Sequence, residues 1–252
     1  QGNLPLYFHF IRMHDGIHYL DITNEVIARM NEVALTSANF ASARGFQVQC
    51  KNAVNDAINY VNQREFGWPF THDTHTQTLV AGQTRYTIPA DSQSVDYDTF
   101  RISKDDTLAV NGITLRIMDY KEYTQKYIEQ ETTTGVGAVP IYVFRSPDNN
   151  YGLFPYPDKA YELKLEYYKK PTALSAHGDV PTVPEQYRQV VVDGATAYAY
   201  QYRGEAQQYG INFSRFEDGI KQMQSILLNR ADYVRSTYIP YSQRYGAGAG
   251  GF

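Results

Sequence analysis

Few residues of this chain could do chemistry, and they are scattered. His14 and His18 stand four apart, the spacing that on a helix turns two imidazoles toward one metal ion. Gly16 between them weakens that helix, and no third ligand follows at a usual spacing. His72, Asp73 and His75 form a second cluster with the same shortage. Asp96, Asp98, Asp105 and Asp106 gather carboxylates around a strand-like segment, but without the central glycine and terminal glutamate of a calcium loop. A solvated sheet edge that discourages aggregation accounts for them. Gly135 and Gly137 lead to Pro140 and a strand-like run, not to a helix, so they make a poor phosphate cradle. Cys50 falls on an apolar helical stripe with no histidine or base beside it and reads as core. There is no Gly-x-Ser-x-Gly elbow. No catalytic residue, metal site or cofactor is therefore expected, and the carboxylate pair that a glycoside hydrolase needs is not identifiable.

Composition narrows the class. The 252 residues are 42% hydrophobic and 20% charged, enough to bury one substantial core or a core with a satellite sheet. A net charge of -4 excludes a protein whose main affinity comes from neutralising phosphates, which needs clustered Lys and Arg. The one cysteine cannot form an internal disulfide, so a reducing cytosol suits the chain. No apolar run approaches the roughly 20 residues that cross a bilayer. Gln1 to Leu20 lacks the basic start and small-residue cleavage site of a signal peptide and reads as an N-terminal arm. Tyrosine accounts for 23 residues. Two readings of that excess stay open: half-buried strand positions, where Tyr has high propensity, or a surface for protein contacts.

Patterning orders the elements that must position these residues. Asp21 is expected to cap a first helix carrying Ile22, Val26, Met30 and Val33 at helical spacing. A second helix from about Phe46 to Glu65 places Cys50, Val54, Ala57, Ile58 and Val61 on one stripe. Pro69 ends it, because it disfavours helical geometry in Trp68, which is expected to anchor the junction between layers. From Thr74 to Tyr168 the period becomes two, predicting six to eight strands. Strand-like Thr76–Val80 and Arg85–Ile88 flank Gly82-Gln83, Asn111-Gly112 is expected to turn a two-residue hairpin between Leu108–Val110 and Ile113–Ile117, and Pro147-Asp148-Asn149-Asn150 to turn another hairpin. Tyr161, Leu163, Leu165 and Tyr167 form a buried face opposite Glu162, Lys164 and Glu166. A short helix is predicted from Asp119 to Gln130. Thr182, Pro184 and Glu185 read as a capping-box start. The helix after it carries small residues that permit close approach, and a last helix repeats Phe213, Phe216, Ile220, Met223, Leu227, Ala231 and Val234. That seam needs a partner helix, in the same chain or in the next subunit. The fold class expected is α+β: a helical bundle built from residues 21–70 and 182–237, an inserted antiparallel β-rich unit at 71–181, and an extended C-terminal tail at 238–252. Such a Gly/Ala-rich tail buries little by itself, so a neighbour is expected to hold it.

The order of these parts, with LVAGQTRYTIPAD at 79–91, PDNNYGLFPYPD at 147–158 and EYYKKP at 166–171, resembles the head-to-tail adaptor proteins of tailed bacteriophages, above all the tail tubular protein A type. The resemblance runs from about Asp21 to Tyr238. It implies a virion structural protein without enzymatic activity or cofactor, made in the host cytoplasm. It further implies a homo-oligomeric ring, typically of twelve copies, between the portal protein and the tail nozzle protein, with double-stranded DNA passing through during ejection. On this likeness Phe213, Phe216, Ile220, Met223 and Leu227 are candidates for the subunit interface. Tyr238, Ile239, Tyr241, Arg244, Tyr245 and Phe252 are candidates for binding the portal. The alternative from another class is a carbohydrate-binding module in which Trp68 and exposed tyrosines stack on sugar rings.

Overall fold

The computed structural model of the chain describes residues 17–103, 112–129 and 137–228. The described residues make a mixed α+β protein with five α-helices and two four-stranded sheets. They divide into a β-rich unit, residues 17–19 and 58–184, and a helical unit, residues 20–57 and 185–228.

The helical unit is built from α1 (Tyr19–Arg29), the first part of α2 (Phe46–Arg64), α4 (Arg188–Arg203) and α5 (Ala206–Leu227). Asp21 lies in the first turn of α1 instead of capping it, because the helix begins two residues earlier. The apolar stripe also stops short: Met30 is buried, but Val33 is 78% exposed. Asn31 takes a left-handed φ of 55° that closes the helix before Val33 can join the stripe. Asn24 then clamps the returning chain, donating to the Leu35 carbonyl at 2.9 Å and accepting from the Leu35 N–H at 2.8 Å. The predicted capping box yields a 3-10 turn, Glu185–Tyr187, and α4 proper starts only at Arg188, with no side-chain cap. Gly204, at φ 80°, ends α4 in the left-handed conformation.

Small residues decide how α4 and α5 pack. A Cβ on Gly194 of α4 would lie 2.7 Å from the Phe216 ring, and one on Gly219 of α5 would lie 2.9 Å from Val190. Phe216 and Val190 occupy the space those side chains would take. Phe216, Ile220 and Met223 are consequently buried at 0%, 2% and 0% exposure. Their partner helix is in the same chain. Ion pairs tie α1 and the turn after it to α4: Arg188 to Glu25, Arg29 to Asp193 at 2.5 Å, and Arg203 to Glu32 at 2.6 Å.

In the β-rich unit one sheet runs β1 (His72–Thr78), β8 (Glu162–Lys169), β3 (Ser92–Ser103), β4 (Ile113–Thr114), all antiparallel. The other runs β2 (Arg85–Thr87), β7 (Asn150–Phe154), β6 (Tyr142–Ser146), β5 (Arg116–Ile117), antiparallel except for the parallel β5–β6 pair. One core joins them, with Leu163 and Leu165 of β8, Phe100 and Ile102 of β3, and Val143 and Leu153 of β6 and β7. The alternation along β8 is as patterned. Tyr161, Leu163, Leu165 and Tyr167 are buried while Glu162, Lys164 and Glu166 keep partial exposure. The other face of β6 is covered by α3 (Tyr120–Lys126), whose Tyr123 stacks on Phe144 at 3.9 Å.

Turn chemistry succeeds in one place and misleads in another. Asp148 and Asn149 take left-handed φ values of 62° and 56° and reverse the chain between β6 and β7. Gly82, at φ 80°, sits in a turn, but the strands beside it do not pair: β1 joins β8 and β2 joins β7. Leu79 and Tyr86 both enter the core, and the Tyr86 hydroxyl accepts from the Val80 N–H at 3.0 Å, so this segment crosses from one sheet to the other. Of the predicted Asn111-Gly112 turn, Asn111 lies outside the described residues. The partner of Ile113 is Ile102 of β3, and Leu108–Val110 lies outside the described residues.

Candidate functional site

Among the described residues, the features able to meet a partner lie at three places. The first is the outer surface of α5. Within the predicted seam, Phe216, Ile220 and Met223 are taken up by the chain's own packing, whereas Phe213 and Leu227 remain half-buried. Ile211 and Ile226, which the heptad-like reading left out, are 44% and 69% exposed. Tyr202 near the end of α4 is also exposed. The candidate portal contacts Tyr238, Ile239, Tyr241, Arg244, Tyr245 and Phe252 lie outside the described residues.

The second is a cavity of about 680 Å³ in the β-rich unit. Its walls are the first half of β3 (Ser92 to Val95, and Tyr97), the end of β5 with Ile117 and Met118, then Asp119, Tyr120 and Arg145. Parallel pairing brings the charged residues together: Ile117 is level with Val143, and the Met118 N–H donates to the Val143 carbonyl at 2.9 Å. Two residues further along stand Asp119, between β5 and the next helix, and Arg145 of β6. The Tyr97 hydroxyl is buried without a hydrogen-bond partner, while its ring stacks on Phe100 at 5.3 Å. Burial pushes the Tyr97 phenol up, with the Arg145 guanidinium pulling the other way. The Tyr151 hydroxyl is likewise buried and unpartnered, and burial together with the Tyr86 and Tyr97 hydroxyls raises its pKa. No sequence signal links Tyr97, Asp119 and Arg145. They are distant along the chain, and only the crossing of the two sheets gathers them.

The third place is a smaller cleft of about 510 Å³ in the helical unit, lined by Arg29, Asp193, Tyr200, Gln208 and Arg215 among others. The Arg29–Asp193 pair occupies much of its polar capacity.

Several of the residues singled out as chemical candidates are engaged elsewhere. His72 meets Glu166 at 3.1 Å, and Asp73 pairs with Lys169 at 2.5 Å, which holds the Asp73 carboxyl below its usual value. His18 faces the Gly178 carbonyl at 3.0 Å, and His14 lies outside the described residues. No group of three or more His, Cys, Asp or Glu able to hold a metal occurs among the described residues. Asp96 and Asp98 lie on β3, while Asp105 and Asp106 are not among the described residues. Cys50 is fully buried, and that burial pushes its thiol up to about 11. Trp68 is also fully buried and donates its indole N–H to the Val61 carbonyl at 2.9 Å, so it cannot stack on a sugar. The cavity of the β-rich unit holds one carboxylate, Asp119, where glycoside hydrolysis needs two. Tyr86, Tyr151 and Tyr167 are buried on strands, as the packing reading has it, whereas Tyr19 and Tyr123 are buried on helices and Tyr161 just before β8. No described helix is long and apolar enough to cross a membrane.

Residues 17–240 match the model of the family described as SU10 adaptor protein. No curated protein matches the chain.

Proposed function

The chain belongs to the SU10 adaptor protein family, an adaptor-type family of phages, and on that footing we propose that it forms the head-to-tail adaptor ring of the virion neck. The carrying observation is the extent of the match, which takes in both units and every described element. The finer assignment is to the tail tubular protein A type: a ring of twelve copies, joined to the portal on one side and the tail nozzle on the other, without catalytic activity. Copies meet head to tail through two different faces, which closes a ring when the rotation per copy divides the circle.

The packing of α5 supports a narrower choice of contact residues. Because the centre of the α5 seam is filled from within the chain, contact between copies falls to its rim, Phe213, Leu227, Ile211 and Ile226. Residues 238–252 reach the portal, and the net charge of -4 suits a channel wall past which DNA slides without being gripped. Light-scattering mass of the purified full chain, alone and mixed with its portal protein, tests the proposal. A ring-sized species appearing with the portal is expected. A monomer that stays monomeric in the mixture would overturn it.

A further inference from the structure

We propose that the cavity of the β-rich unit is a strand-acceptor slot, which takes an extended, acidic peptide segment of a different protein in the assembly. This goes beyond ring formation and does not depend on the copy number.

The slot follows from unequal strand lengths. β3 is twelve residues long, but β4 pairs with it only at Arg101 and Ile102. Among the described residues no strand pairs with the side of β3 away from β8 between Ser92 and Tyr97. The facing wall is β5, the edge of the other sheet. Arg116 and Met118 donate their N–H groups inward, to Ile141 and Val143 at 2.8 and 2.9 Å. Along a strand these directions alternate, so the backbone N–H and carbonyl of Ile117 point out of the sheet, and its side chain is 55% exposed. An incoming strand therefore finds open backbone groups on both walls, the arrangement that strand addition uses.

The side chains say what kind of strand. Ile88, Val95 and Ile117 offer apolar contacts for alternate residues. Arg145 and Asp119 both line the cavity, and among the described residues they make no ion pair with each other and no side-chain hydrogen bond engages either. The buried Tyr97 hydroxyl has a proton to donate and nothing to take it. A polypeptide answers all three: an acidic side chain for Arg145, a main-chain N–H for Asp119, and a carbonyl for Tyr97. The volume lies in the range of ordinary ligand pockets, about 300 to 1,000 Å³. The chain's own residues 229–252 carry Arg230, Arg235 and Arg244 against a single acid, Asp232. Charge thus argues against a second copy supplying that segment.

The test uses the full chain, immobilised, and a random twelve-residue peptide display library. Enrichment of peptides with alternating apolar residues and an acid is expected. A labelled synthetic representative should bind with saturable anisotropy, and Arg145→Ala should weaken it by about tenfold, the loss of one charge-assisted hydrogen bond. Successive N–H groups of a strand held between two walls point alternately to β3 and β5, so single N-methylation at any residue of the peptide's paired core should abolish binding, a signature of pairing on both sides that leaves the protein unaltered. No enrichment, equal binding to the R145A chain with an unchanged circular dichroism spectrum, or an N-methyl scan that leaves binding intact throughout the peptide's core would overturn the proposal. So would enriched sequences that copy this chain's own segments. Portal-driven assembly is measured separately, so failure here leaves the ring untouched.

Discussion

The two units close their cores by opposite means. In the helical unit two glycines let α4 and α5 approach until Phe216 rests against Gly194, leaving no room for a Cβ. In the β-rich unit large aromatics span the gap between sheets: Phe100, Tyr97 and Tyr151 lie within 5.2 to 5.3 Å of one another in sequence of contact, and polar hydroxyls come with them. The helical solution is tight and finished. The aromatic one leaves Tyr97, Ser146 and Tyr151 with buried oxygens that lack partners. A group taken from water without a partner costs about 1–3 kcal/mol, and of these three residues Tyr97 lines the cavity. That difference assigns stability to the helical seam and adaptability to the β-rich unit.

Truncating Phe216→Ala breaks the comparison most severely. It should cost about 4 kcal/mol, as for other buried aromatics cut to alanine, read from the midpoint of urea unfolding. The sharper form is a double-mutant cycle. Gly194→Ala alone should destabilise by about 2 kcal/mol, because its Cβ meets the ring. In the F216A background the same change should stabilise, since alanine then has space and a helix propensity about 1 kcal/mol better than glycine. Additive effects in the cycle would show that the glycine does not set the helix approach.

Gly152→Ala asks whether the β-rich unit is as unforgiving where its sheet meets α3. A Cβ there would lie 2.1 Å from the Phe144 ring, which Tyr123 pins from the other side. A loss of about 2 kcal/mol is expected, seen as a lower unfolding midpoint. No change would mean that this layer yields.

The smallest effect is one of pH. Asp179 accepts hydrogen bonds from the Ser175 and Ala176 N–H groups, at 2.7 and 2.8 Å, and they lower its pKa below 3.8. A carboxylate depressed in the folded state adds stability above its unfolded pKa, and that contribution fades as pH falls through the folded value. The melting temperature of wild type should therefore drop more between pH 5 and the acid side of 3.8 than that of Asp179→Asn, checked by thermal melts of both. The carboxyl is exposed, so the difference will be small.

Much of this fold is legible in the chain. Period-two runs ending in Tyr167, the left-handed Asp148-Asn149 turn, Cys50 on its stripe and Gly194 in a small-residue helix are local statements, and local geometry honours them. Pairing is another matter. Gly82 carries turn chemistry, but whether flanking strands join each other depends on which sheet buries them, and Leu79 and Tyr86 are better buried by crossing. The ion pairs from α1 to α4 were equally invisible, since Arg29 meets Asp193 only after the termini of the domain have come together.

Amino-acid order alone determined the class of this protein, because hydrophobic period, turn residues and small-residue spacing act within a few positions of themselves. It also determined the absence of any motif for catalysis. Only the tertiary structure decided that the α5 seam closes on its own chain, and that Tyr97, Asp119 and Arg145 share one slot between β3 and β5. Burial and strand register are properties of the whole packed unit, and no short segment contains them.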